Sequence, residues 1–189
     1  MNKTEIFNSI AKWGLILGVA MSLSKIIEIK MLLQGSVGMT LMILVEMVVS
    51  ILLFLYIIYR SNIERKMSLE KPEEYRFRAI SNWSILISLF AGIIVGLATH
   101  IYINTSLGGY SGYLQSTHDA MVAIIDSANM DGASREEAIK ALDGYTNVEG
   151  IEGISIFDSV LSAVMNYVIG GFVAAIVVTR FVKNYAKGE

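Results

Sequence analysis

Glu46 sits in "LMILVEMVVS" (41–50), a lone carboxylate within a run of leucine, isoleucine, valine and methionine. A carboxyl group in such a setting can pair with a cation, accept hydrogen bonds, or take up a proton and serve as a proton- or substrate-handling site. The residues that could join it are Lys25, Glu28, His100 and Asn166, each within or beside a long apolar stretch. Other chemistry is scarce. The chain has no cysteine, hence no thiol nucleophile, thiolate metal site or disulfide. It has no P-loop, GxGxxG or HExxH motif, and "GYSG" (109–112) is one residue short of a nucleophile elbow with no strand before it. His100 and His118 are too few for a typical zinc site. The sequence therefore reads as non-enzymatic, with no cofactor and no bound metal.

The elements that would position these residues are four apolar blocks. The chain has 189 residues, is 54% hydrophobic and only 17% charged, and has a mean hydropathy of +0.56. Soluble domains carry about 25% charged residues and alternate apolar with polar faces. The blocks here, at about 8–29, 38–59, 79–102 and 156–182, are each long enough to cross a bilayer. The first is interrupted by Lys12, Lys25 and Glu28, the second only by Glu46. No small-x-small cleavage site follows the first block, which reads as a retained helix rather than a signal peptide. The fold class expected is an all-α, integral membrane four-helix bundle in a single domain. The net charge of −2 offers nothing to nucleic acid, and the lipid bilayer is the implied partner.

Orientation follows from lysine and arginine in the short connections. The 60–78 connection holds Arg60, Arg65, Lys66, Lys71, Arg76 and Arg78, and Arg180, Lys183 and Lys187 follow the last block. The 103–155 connection holds only Arg135 and Lys140 among many acids. These biases place both termini and the 60–78 hairpin in the cytoplasm and 103–155 outside. Within the outer segment, "NTSLGGYSGY" (104–113) reads as a glycine-rich loop with a sequon, and Leu114 to Met130 as a helix. A second short helix is expected to be capped by Ser134 with Glu137 and ended by Gly144. "TNVEGIEGIS" then leads to Ser155 as cap of the last block.

Small residues recur at helical spacing: Gly14 and Gly18 in the first block, Gly92 and Gly96 in the third, and Ser162, Asn166, Gly170 and Ala174 in the fourth. Such stripes let membrane helices approach closely. Packing among the four helices is the plain reading and homo-oligomerisation the sharper one. At 100° per residue, Gly14, Gly18, Lys25 and Glu28 share an arc of about 80°, and His100 continues the Gly92–Gly96 stripe. Depth agrees, with Glu46 about 12 Å below the outer end of its helix. The sequence thus proposes a polar cluster of Lys25, Glu28, Glu46, His100 and Asn166 in the outer half. Glu46 is expected to pair with Lys25, bond to His100 or be protonated. A structural clamp and a proton- or substrate-handling site both remain open.

Three stretches, "KWGLILGVAMSL", "AGIIVGLATHIYINTSLGGYSGYL" and "NMDGASREEAIKAL", together resemble a four-helix membrane family of Bacteroidota, the domain-of-unknown-function family numbered 4199. The resemblance covers nearly the whole chain and rests on patterns rather than catalytic motifs. It implies residence in a bacterial inner membrane and, as a conceivable partner, a polyprenyl-phosphate glycosyltransferase. It carries over no site residues. Two functional readings follow. The first is a non-enzymatic accessory subunit of a membrane assembly. The alternative is a small transporter or lipid-linked-sugar flippase using the polar cluster.

Overall fold

A computed structural model describes residues 3–128, 131–146 and 154–185, and all regular structure among them is helical. The elements are α1 (Lys3–Leu32), α2 (Val37–Met67), a 3-10 turn (Pro72–Glu74), α3 (Phe77–Ser106), α4 (Gly109–Ser127), α5 (Gly132–Thr146) and α6 (Ile156–Asn184). Each apolar block lies inside one of the four long helices. Among the described residues, α2, α3 and α6 are long and apolar enough to cross a membrane. α1, with 30 residues and Lys12, Lys25, Glu28 and Lys30 along it, is not among them. Three crossings therefore stand on length and apolarity, where the sequence reading expected four. The expected connection through 147–153, the helix end at Met130 and Lys187 lie outside the described residues.

Local chemistry explains the boundaries. α1 stops where Gly35 takes a left-handed φ of 59°, and Ser36 then caps α2 by accepting from the Met39 N–H at 3.2 Å. Ser155 caps α6 as expected, accepting from the Asp158 N–H at 3.1 Å. Two expectations need correction. The stretch 104–113 is mostly helical, because Gly108 and Gly109 (φ 72° and 86°) confine the break between α3 and α4 to Leu107 and Gly108. The cap of α5 is Asp131 rather than Ser134. Its carboxylate accepts from the Ser134 N–H at 2.9 Å, which holds its pKa below the usual range. Aspartate satisfies the free N–H groups three positions earlier, so the helix starts earlier, and it continues past Gly144 to Thr146.

α3 is the central helix. It runs parallel to α1 and antiparallel to α6, and the two neighbours occupy nearly opposite faces of it. The glycine pairs make these approaches. A Cβ on Gly14 would stand 2.5 Å from Phe90 Cβ, and one on Gly18 2.8 Å from Ile94 Cβ. On the other side, a Cβ on Gly92 would stand 2.7 Å from Val164 Cα and one on Gly96 2.6 Å from Val160 Cα. Gly171, not Gly170, continues that contact on α6 and lies against the buried Ser88 hydroxyl. Gly170 faces α2 instead, where a Cβ would meet the Phe54 ring at an ordinary 3.6 Å. Ala174 is fully packed, at 1% exposure.

The tight core occupies the half of the bundle next to the 60–78 turn. Ile58, Ile80, Ile87 and Val182 are wholly buried there with Leu17. Two polar networks inside this half are closed, while the Trp83 indole N–H and the Ser88 hydroxyl are buried with no hydrogen-bond partner among the described residues. Asn62 donates to Ile58 O (2.9 Å) and Ser84 Oγ (3.0 Å) and accepts from the Tyr75 hydroxyl (2.8 Å), whose pKa burial raises. The buried Lys66 ammonium donates to the carbonyls of Val182, Lys183 and Tyr185 at 2.8–3.0 Å and so closes the C-terminus of α6. The sequence reading had given Lys66 only a topological role. Toward the other end the packing loosens: α2 buries nothing before Ile57, and α6 nothing before Gly171.

α4 rests against the α1–α2 turn, where Ala120 lies over Gly35. α5 is tied to α4 by charge. Arg135 donates to Asp126 at 2.7 Å, and His118 meets Asp143 at 2.9 Å through Nε2 and Asp119 at 3.5 Å through Nδ1. The hydrogen bond to Asp143 raises the His118 pKa above its ordinary value, with further support from Asp119.

Two outcomes follow from this packing. Gly92→Ala should lower stability by about 1–3 kcal/mol, since the added methyl meets backbone that cannot yield. Gly38→Ala meets nothing within 4 Å and should be neutral or stabilise by up to about 1 kcal/mol. Melting curves of both variants in one detergent would check the pair. Because His118 has a raised folded-state pKa, its tie should be fully present below its unfolded pKa and lost as pH rises through the folded value. Hydrogen exchange in α4 and α5, corrected for intrinsic rates, should therefore quicken with pH in the wild type and lose that dependence in His118→Gln.

Candidate functional site

Where the packing loosens, α1, α2, α3 and α6 enclose a cleft. Its α1 wall is one helical face, Met21, Ser24, Lys25 and Glu28, at the three- and four-residue spacing that places side chains together. α2 contributes Glu46 and Ser50 one turn apart, and α6 contributes Ser159, Ser162, Asn166, Tyr167 and Gly170. Val95, Gly96 and Thr99 of α3 form the floor.

The cleft divides into three adjoining spaces, all lined by Tyr167. The largest, of about 840 Å³, is a polar chamber bounded by Lys25, Glu28, Thr99, Asp158, Ser159, Ser162 and Asn166. A slot of about 440 Å³ lies between α2 and α6 and is lined by Phe54, Leu55, Gly170, Val173 and Ala174, with Asn166 and Tyr167 at the shared edge. A small annex of about 170 Å³ holds Glu46, Ser24 and Ser50 beside Lys25 and Glu28.

The five residues of the sequence-derived cluster are thus distributed as follows. Lys25, Glu28 and Asn166 share the chamber, and Lys25, Glu28 and Glu46 share the annex. His100 lines neither space. Its ring nitrogen meets the Ser159 hydroxyl at 3.2 Å, which ties α3 to α6 at the chamber's edge. The expected pairing of Glu46 is not formed. Lys25 donates twice at 2.9 Å to Glu28 one turn along its own helix, and His100 faces α6 rather than α2. Glu46 accepts instead from Ser24 of α1 and from Ser50, the latter at 2.6 Å. The two serine hydroxyls also touch each other.

Ser24, Ser50 and Tyr167 are the site residues that sequence reasoning passed over. The Glu46–Ser50 spacing was readable as an i,i+4 pair. Ser24 and Tyr167 had no such signal, because each acts across a helix–helix gap. Chemically, the site is a carboxylate supplied with hydroxyl donors, an internal Lys–Glu pair, and an amide and a phenol facing open space. It can bind polar groups.

Residues 12–184 match the model of a family described as "Protein of unknown function (DUF4199)". No curated protein and no solved structure matches the chain.

Glu46→Gln keeps an acceptor for the two serine hydroxyls and removes no ion-pair partner, so stability should change by less than about 1 kcal/mol. Melting in one detergent at one pH would check this. A loss as large as that expected for Gly92→Ala would mean that Glu46 holds a charge pair.

Proposed function

The chain belongs to the DUF4199 family of proteins of unknown function, and on that premise we propose that it is a non-enzymatic, multi-pass membrane protein that binds a ligand in the cleft around Tyr167. The single observation that carries the reading is the chamber of about 840 Å³ with both charge signs on its walls. Small-molecule sites occupy roughly 300–1,000 Å³, and ionisable groups at membrane depth characteristically mark substrate paths. A bundle evolved only for packing has no reason to keep Lys25, Glu28, Glu46 and Asn166 around an open space in this half.

In the topology proposed, α1 is the fourth crossing. The 60–78 turn and both termini lie in the cytoplasm, and α4 and α5 lie on the outer side of a bacterial inner membrane. The bias of basic residues supports that assignment, and with it the cleft opens outward, as a small transporter's site would.

One observation favours the accessory-subunit reading: α2 buries none of its residues from Val37 to Tyr56. Lipid covers such a helix as readily as a partner protein does, so the cleft carries more weight.

The absence of native cysteine makes the test direct. Single cysteines at Ser162, in the chamber, and at Leu52, on the 61%-exposed apolar flank of α2, would be treated in whole membranes with a membrane-impermeant maleimide. Ser162→Cys should react and Leu52→Cys should not. If Ser162→Cys is as inert as Leu52→Cys in membranes and stays inert after delipidation in detergent, the chamber is closed and the ligand-binding reading fails. A stoichiometric protein partner identified after mild-detergent purification would then favour the subunit reading.

A further inference from the structure

Building on the cleft reading above, we infer that the ligand is a membrane phospholipid whose headgroup carries a primary ammonium, with the headgroup in the polar chamber and one chain in the apolar slot. Shape carries the first step. Chamber and slot adjoin at Asn166 and Tyr167, which line both, so an occupant of both is polar at one end and apolar at the other. The slot opens sideways between α2 and α6, where its rim residues Ile51 and Val173 are 57% and 52% exposed. From Tyr167 to Ala174 it runs about 10 Å along α6, a large part of one leaflet's hydrocarbon depth. Gly170 keeps it wide, since a Cβ there would only begin to touch Phe54. A soluble ion or sugar would leave that slot empty, whereas a lipid entering from the bilayer fills it.

Charge carries the second step. The chamber and annex set Glu28, Glu46 and Asp158 against Lys25 alone. Lys25 and Glu28 already satisfy each other. Among the described residues, Glu46 and Asp158 accept side-chain hydrogen bonds only from serine hydroxyls, which leaves lone pairs on both for further donors. A headgroup with a net negative charge meets repulsion here. A zwitterionic phosphoammonium headgroup places N–H donors at these carboxylates, while its phosphate has donors in Lys25, the Asn166 amide and the Tyr167 hydroxyl. Asn166 and Tyr167 make no side-chain hydrogen bond among the described residues, although both border the open space. A primary ammonium matches better than a quaternary one, which has no N–H to donate.

The test uses the full chain in a non-ionic detergent, incubated with equal amounts of dipalmitoyl phosphoethanolamine and dipalmitoyl phosphoglycerol lipids and read by native mass spectrometry. One phosphoethanolamine lipid per chain should be retained, with a preference of about tenfold, the worth of one charge-assisted hydrogen bond. Gly170→Leu, which fills the slot without touching the chamber, should abolish retention. Glu46→Gln should keep a bound lipid but narrow the preference. Equal or greater retention of the phosphoglycerol lipid, still abolished by Gly170→Leu, would overturn the headgroup assignment and leave the cleft standing. If no lipid is retained, or if Gly170→Leu changes nothing, the inference itself is overturned, and the reactivity of Ser162→Cys decides the cleft separately.

Discussion

In a bilayer, helices gain nothing from hiding apolar side chains from water, because lipid is as apolar as they are. Association depends instead on how closely two backbones can come together. α3 meets this requirement on two faces at once. Gly14 and Gly18 of α1 receive the Phe90 and Ile94 side of α3, while Gly92 and Gly96 let α6 lie against the other side. With α3 held tightly between two neighbours, α2 is left as the fourth and loosest member. It comes close to α3 only near Asn62 and Ser84, where a hydrogen bond joins them.

That asymmetry gives the molecule two unlike halves. Near the 60–78 turn, two sets of buried polar groups are closed, Asn62 with Tyr75 and Ser84, and Lys66 with the last carbonyls of α6. An unsatisfied group of this kind would be expensive at that depth. In the opposite half, the same small-residue logic has another result. Ser162, Asn166 and Gly170 on α6 line the open spaces, and their small size leaves room instead of filling it.

Much of this was legible in one dimension. The blocks predicted the helices because a long apolar run with backbone groups to satisfy has few alternatives to helix in lipid. Gly14, Gly18, Gly92 and Gly96 were readable as packing positions because their spacing is a local property of one helix. The choice between Gly170 and Gly171 was not readable. It depends on how α6 is rotated against α3, and a shift of one residue turns a side chain by 100°. The start of α5 was not readable for a related reason: Asp131 and Ser134 can both cap, and Asp131 takes the role by accepting from the Ser134 N–H.

Glu46 shows the same division most plainly. The sequence by itself determined that a carboxylate lies deep in an apolar helix and must have an interior neighbour, since the cost of leaving it bare in hydrocarbon does not depend on the fold. It also placed Asn166 at a similar depth and Lys25, Glu28 and His100 nearer the outer end, because rise per residue converts position into height. Only the tertiary structure decided which of them meet. Lys25 spends its charge on Glu28, His100 turns to Ser159, and Glu46 is left to two serines, one of them on a different helix. Partner choice across a gap depends on helix rotation and separation, and these are set jointly by every contact in the bundle rather than by any one stretch of sequence.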